Sequence, residues 1–228
     1  MTETATQIVD LLAEAAFTQL ADRQLREIHI DDVAANAGVA PSAARAVAGS
    51  ISALVLHRLA QLDRQAILES LADIEDAGDV PIRDKIVEAL MHRFEVYAPH
   101  RAQIAELDRA ARRDPVLGLR LIDSLTQAMR MLLRMAGDDL AGLRGEARAH
   151  GVALVAMAVA RVWKDDETPD LSVTLKEIDN RLTKAEEWGR TLRMFDENAS
   201  RAGDADSDGA PSAAGDTGIE SGGSGRYQ

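Results

Sequence analysis

Cysteine is absent from the 228-residue chain, which removes disulfides, thiol nucleophiles and thiolate metal ligands together. Aromatic residues make up only 3% of the sequence. A core must therefore be aliphatic, drawn from the Leu, Ala, Val, Ile and Met that dominate an apolar content of 46%. There is no long alternating β-branched run, and Ala and Leu recur among Glu, Arg and Asp in a composition suited to helices. The longest apolar run, residues 152–160, covers nine positions, against the roughly twenty of a spanning helix. The opening MTETATQIVD has no basic stretch leading into an apolar one, so no signal peptide is expected and the expected location is cytoplasmic. Gly-rich phosphate loops and nucleophile motifs are missing, and His29, His57, His92, His100 and His150 show no metal-ligand spacing. No catalytic residue, cofactor or metal is expected. Positive charge is also scarce: 26 Lys and Arg face 38 Asp and Glu, for a formal net charge of −12, which repels phosphate overall.

What is present reads as about nine helices over residues 1–198. Ile8, Leu11, Leu12, Ala15 and Ala16 follow a 3.6-residue period. A short helix over 30–37 stops at Gly38, and another over 41–48 opens at Pro41. After the Gly49-Ser50 break, where Ser50 suits a cap, a long helix runs to about Ala77. Further helices are expected over 82–98, 100–111, 115–135 (ended by Gly137), 143–165 and 170–195, the last with Asp170 at its N-cap and a stripe of Leu171, Thr174, Leu175, Ile178, Leu182, Ala185 and Trp188. Asp165, Asp166 and Glu167 read as a solvated helix end. Residues 199–228 are Ser, Gly, Ala and Asp with almost nothing apolar, the composition of a disordered acidic tail.

Residues 28–54, IHIDDVAANAGVAPSAARAVAGSISAL, place two short helices about a glycine-containing turn. Ile28, Ile30, Val33, Ala34, Val39 and Leu54 fall where a helix-turn-helix needs its core. By spacing alone they equally suit a plain helical hairpin. At Ile28-His29-Ile30, Asp32-Val33-Ala34, Ala37-Gly38-Val39, Gly49-Ser50 and Ala53-Leu54 the segment resembles the TetR family of transcriptional regulators. The C-terminal half resembles a subgroup through residues 83–101, 112–115, 131–137 and above all RVWKDDETPDLSVTLKEIDNRLTKAE at 161–186. That subgroup lies close to the TetR-like lipid-binding proteins of coenzyme Q biosynthesis, which share an acidic feature like Trp163–Asp166.

The resemblance implies an all-α fold: a helix-turn-helix domain over 1–49, a helical ligand and dimerisation domain over 50–198, and a tail over 199–228. It implies a ligand-responsive repressor. The alternative is an accessory protein that binds a lipid or small apolar ligand and does not read DNA. On the recognition helix Ser42, Ala43, Arg45 and Ala46 are the candidates for DNA, with Arg26 and Arg58 for phosphate. The pattern departs from the family there: Ala44 replaces a leucine, Ala48 a phenylalanine and Ile51 a lysine, Arg45 stands where a tyrosine is common, and His29 occupies a Ser/Thr cap. Residues 1–60 carry four arginines against seven acids, a charge of −3. Phe94, Met129, Leu132 and Met157 are the candidates for an apolar or amphipathic effector, since Met fits irregular ligands; ordinary core would use the same residues. A homodimer through 143–190 is expected, with Gly151, Ala153, Ala156 and Ala160 as its small-residue face and Trp163 and Trp188 at its edge, and no insertion into membrane.

Overall fold

The computed structural model describes residues 3–77 and 80–187, all-helical apart from turns; Trp188 and the tail at 199–228 lie outside them. The order is α1 (Glu3–Gln19), α2 (Ile30–Ala37), α3 (Pro41–Val47), α4 (Ile51–Ala77), α5 (Ile82–Tyr97), α6 (Arg101–Arg113), α7 (Pro115–Met135), α8 (Gly142–Trp163) and α9 over residues 172–187. Single 3-10 turns, Leu25–Glu27 and Ala98–His100, precede α2 and α6. No helix among the described residues is long and apolar enough to cross a membrane.

Local signals set most of these boundaries. Gly38 closes α2 at φ +65, with its N–H bonded to Ala35 O and that of Val39 to Ala34 O. A side chain pays a steric penalty in this left-handed conformation and glycine does not. Ser50 Oγ accepts the Ala53 N–H at 3.1 Å and starts α4. The Asp114 carboxylate caps α7 by accepting from Val116 and Leu117 N–H, with Pro115 in the first turn. His29, by contrast, precedes α2 without a side-chain cap.

Within α1 the buried stripe is Leu12, Ala13, Ala16 and Phe17, continued by Leu20 just past its end. Leu11, expected inward, is exposed, because α4 and the short helices take the adjoining face. Residues 1–185 form one compact unit, and α4 packs on α1, α5 and α7. The buried Glu106 of α6 also reaches back to accept the Leu25 N–H at 3.2 Å, tying the turn after α1 to the larger helical layer.

Two corrections concern the C-terminal helices. Ala153 and Ala156 are buried against the chain's own core, as is Trp163, whose ring meets Phe94 at 5.5 Å and lies under the Arg101 guanidinium at 4.7 Å. The outward face of α8 is instead Leu143, Ala147, His150 and Leu154. Leu175 and Ala185, expected in the buried stripe of α9, are exposed, while Thr174, Ile178 and Leu182 are buried.

Asp166 is the second correction. It is buried, and its carboxylate accepts Thr168 N–H (3.0 Å) and Oγ1–H (2.5 Å) on one oxygen and Thr174 N–H (2.8 Å) and Oγ1–H (2.6 Å) on the other. The cap of α9 thus comes from eight residues upstream, across a loop in which Leu171 takes φ +49, with Asp170 bonding only Ser172 N–H at 3.2 Å. Burial acts to raise the Asp166 pKa and is outweighed by these four donors, leaving it at about 2.

Candidate nucleic-acid interface and ligand cavity

The three short N-terminal elements pack around Ile28, Val33, Ala34, Ala44 and Leu54, all buried, with Ile30 and Val39 partly covered. This core holds α3 against α2 with Ser42, Arg45 and Ala46 outward and Ala43 half-buried. The surface offered is short and weakly polar. Arg45 is its one charged side chain, and both its Nε (3.1 Å) and Nη2 (2.7 Å) donate to Asp31 Oδ1 at the start of α2.

The neighbouring cations are engaged in the same way. Arg23 meets Asp32 at 3.0 Å, Arg26 lies 4.0 Å from Glu27, and Arg58 meets Glu14 at 2.6 Å. All four arginines of residues 1–60 therefore face a carboxylate of the same unit. Arg26 is open to solvent, whereas Arg58 is largely covered between α4 and α1.

A second feature lies between α4, α5, α6, α7 and α8: a partly open cavity of about 210 Å³. Leu59, Ile104, Leu107, Leu121, Leu125 and Met157 give it apolar walls. At one side Asp63, Arg93 and Tyr97 form a cluster. Asp63 Oδ1 accepts Arg93 Nε–H at 2.8 Å and the Tyr97 hydroxyl at 3.0 Å, and the guanidinium stacks 4.5 Å over the Tyr97 ring. The side chain of Asp63 is 4% exposed and that of Arg93 15%. Burial and the Asp63 charge push the Tyr97 hydroxyl well above its ordinary pKa, so it remains a donor. Asp108, Arg161 and Lys164 line the cavity as well.

Of the four residues expected to meet an effector, Met157 borders this cavity. Phe94, Met129 and Leu132 are each 1% exposed in the continuous core. Asp63, Arg93 and Tyr97 carried no sequence signal beyond lying on helices, because the pattern that unites them is an interhelical contact.

The histidines, which show no metal-ligand spacing in the sequence, include one with acidic neighbours. His92 Nε2 is 2.9 Å from Asp73 and 3.4 Å from Glu88, and its Nδ1 is 3.5 Å from Glu95. The carboxylates are exposed, and such surface groups commonly cluster without an ion.

The helices adopt the fold of TetR-family transcriptional regulators. The TetR transcriptional regulator from Nitrosomonas europaea ATCC 19718 is similar at a TM-score of 0.60 and 15% identity, over 78% of this chain and 97% of that one. A tetR-family transcriptional regulator from Streptomyces coelicolor is similar at a TM-score of 0.55 and 14% identity, over 86% and 96%. No family model and no curated protein matches the sequence. At these identities the likeness is one of fold, and the role of individual residues rests on their own geometry.

Proposed function

We propose that the chain is a homodimeric, ligand-responsive transcriptional repressor that reads DNA with α3. The observation that carries the proposal is the unit α2–Gly38–α3, with its outward Ser42, Arg45 and Ala46, set on a helical layer that encloses a cavity, within a fold shared with transcriptional regulators. Arg45 makes the main contact from the recognition helix, Ser42, Ala43 and Ala46 meet base edges or a thymine methyl, and Arg26 and Arg58 supply phosphate contacts.

Each of these cations must first leave its carboxylate. Exposed ion pairs are worth about 0–1 kcal/mol, less than the roughly 1–3 kcal/mol of a good base contact, so the exchange is feasible at Arg45. It leaves a weakly attractive surface. In a gel-shift titration against the intergenic DNA flanking its gene, the protein binds specifically at low salt, with a log–log salt slope of about two to four per dimer at about 0.9 per phosphate. Arg45→Ala removes specific binding, costing roughly 1–3 kcal/mol per half-site, while Asp31→Asn frees the guanidinium and strengthens it. No specific binding at low salt by folded dimer defeats the repressor reading and leaves the ligand-binding accessory protein.

The dimer is proposed through 143–190, now by its outward residues. Leu143 and Leu154 on α8 are 90% and 65% exposed, and Val173 and Leu175 on α9 are exposed as well. Large exposed apolar side chains are what a two-fold contact covers. Light scattering at micromolar concentration gives twice the chain mass, and Leu154→Glu gives a monomer. A wild-type monomer ends this part of the proposal.

A further inference from the structure

We infer that the cavity takes a small amphiphile with an anionic head, a carboxylate on a short apolar tail, whose head sits against Arg93 and Arg161. This deepens the ligand-responsive reading above and rests on it. Asp63 is already served: one oxygen takes both the Arg93 Nε–H and the Tyr97 hydroxyl. Asp108 is served by Arg112, at 3.1 Å and 3.2 Å, and by Lys164 at 3.2 Å.

The cations are not matched in return. A guanidinium has five N–H donors; Arg93 gives its Nε–H to Asp63 and lies over Tyr97, with no carboxylate or carbonyl on its terminal nitrogens among the described residues. Arg161, also on the cavity, has no acceptor among them either. Three cations (Arg93, Arg161, Lys164) thus line the cavity against two carboxylates, of which Asp63 keeps one oxygen without a donor among the described residues. This occurs inside a chain of net charge −12, where unspent positive groups facing a hollow stand out. A carboxylate supplies two acceptor oxygens in the plane that a guanidinium fork matches, and a partly dry site strengthens the contact.

The rest of the cavity sets the tail. Ile104, Leu121, Leu125 and Met157 are only half-buried, so part of their apolar surface is left uncovered by the chain. A cavity of about 210 Å³ is smaller than the roughly 300–1,000 Å³ of common ligand pockets, which suits a short chain in place of a long lipid. The ligand enters and leaves unchanged; no bond forms or breaks.

The test is isothermal titration of the full-length protein with sodium octanoate, 1-octanol and octylamine, each below its aggregation concentration. Octanoate binds once per chain, at least about tenfold tighter than octanol, and octylamine is weakest. Arg161→Gln, at an exposed position with no packing role, weakens octanoate about five- to tenfold and leaves octanol unchanged. Arg93→Lys, which keeps a cation beside Asp63 but loses the fork, weakens octanoate by tenfold or more.

Octanol binding as tightly as octanoate overturns the anionic-head proposal while the ligand cavity stands. Preference for octylamine overturns it in favour of Asp63 as the anchor. If none of the three raises the melting temperature or gives heat, the proposal and the ligand-responsive part of the function fall together, and the gel-shift result above then stands alone.

Discussion

Asp63→Ala destabilises the folded protein by roughly 3–5 kcal/mol, read as a lower urea midpoint with an unchanged slope. The substitution strips the acceptor from the buried Arg93 Nε–H and leaves the Tyr97 hydroxyl only the Leu59 carbonyl, at 3.3 Å. It leaves a guanidinium whose side chain is only 15% exposed without its counter-charge. Against a total stability of about 5–15 kcal/mol the loss is large, and on the order of 10 °C in melting temperature at 2–4 °C per kcal/mol. The double variant Asp63→Leu/Arg93→Met removes both charges and restores most of the stability, because a buried ion pair replaced by apolar groups of similar size is often neutral. If Asp63→Ala alone melts like the wild type, water reaches the cluster freely and its placement in the cavity wall carries little energy.

Asp166→Ala is expected to cost about 3 kcal/mol. Hydrogen bonds to a charged acceptor contribute about 1.5–3 kcal/mol each but do not add fully, and four of them converge here. The same carboxylate gives the protein an acid signature. Its pKa in the folded chain is about 2 against an ordinary 3.8, so the folded state favours the ionised form. That contribution, about 2 kcal/mol at roughly 1.4 kcal/mol per unit, is complete above pH 4 and disappears as the pH falls from there towards 2. Asp166→Asn therefore flattens the acid limb of the stability curve. An Asp166→Asn protein that loses stability between pH 4 and 2 as steeply as the wild type shows that other carboxylates govern the acid transition.

The fold was readable where its punctuation is local. Gly38 and Gly137 end helices, Pro41 and Pro115 open them, and Ser50 caps α4, so these boundaries followed from neighbouring residues alone. The errors share a cause of another kind. Leu11 and Leu175 lie in sequence on apolar stripes wide enough to face either of two ways, and only the packing of other helices decides which edge is covered. Ala153 and Ala156 marked a close approach correctly, but composition does not say whether the approach is to the same chain or to a second copy.

The candidate site divides likewise. Arg45 was legible as the lone cation of the recognition helix, yet its engagement by Asp31 is an interhelical contact between residues fourteen apart in sequence. In the cavity, Asp63 lies 30 and 34 residues from Arg93 and Tyr97, and no periodicity spans that interval. The burial of Asp166 escaped notice because three acids in a row resemble a wet terminus. Its partner Thr168 is two residues on, and Thr174 meets it only across the left-handed turn at Leu171.

The length of α4 has a mechanical consequence. Ile51–Ala77 is a single helix of 27 residues, about 40 Å at 1.5 Å per residue, and its sequence contains neither glycine nor proline. Leu54, near its start, is part of the core beneath α3, and Asp63, nine positions on, is a wall of the cavity. Sharp helix bends arise at Pro, Gly or inserted groups, and this stretch has no such residue. The segment between Leu54 and Asp63 is thus a stiff spar with no Gly or Pro hinge, joining the wall of the cavity to the core beneath α3.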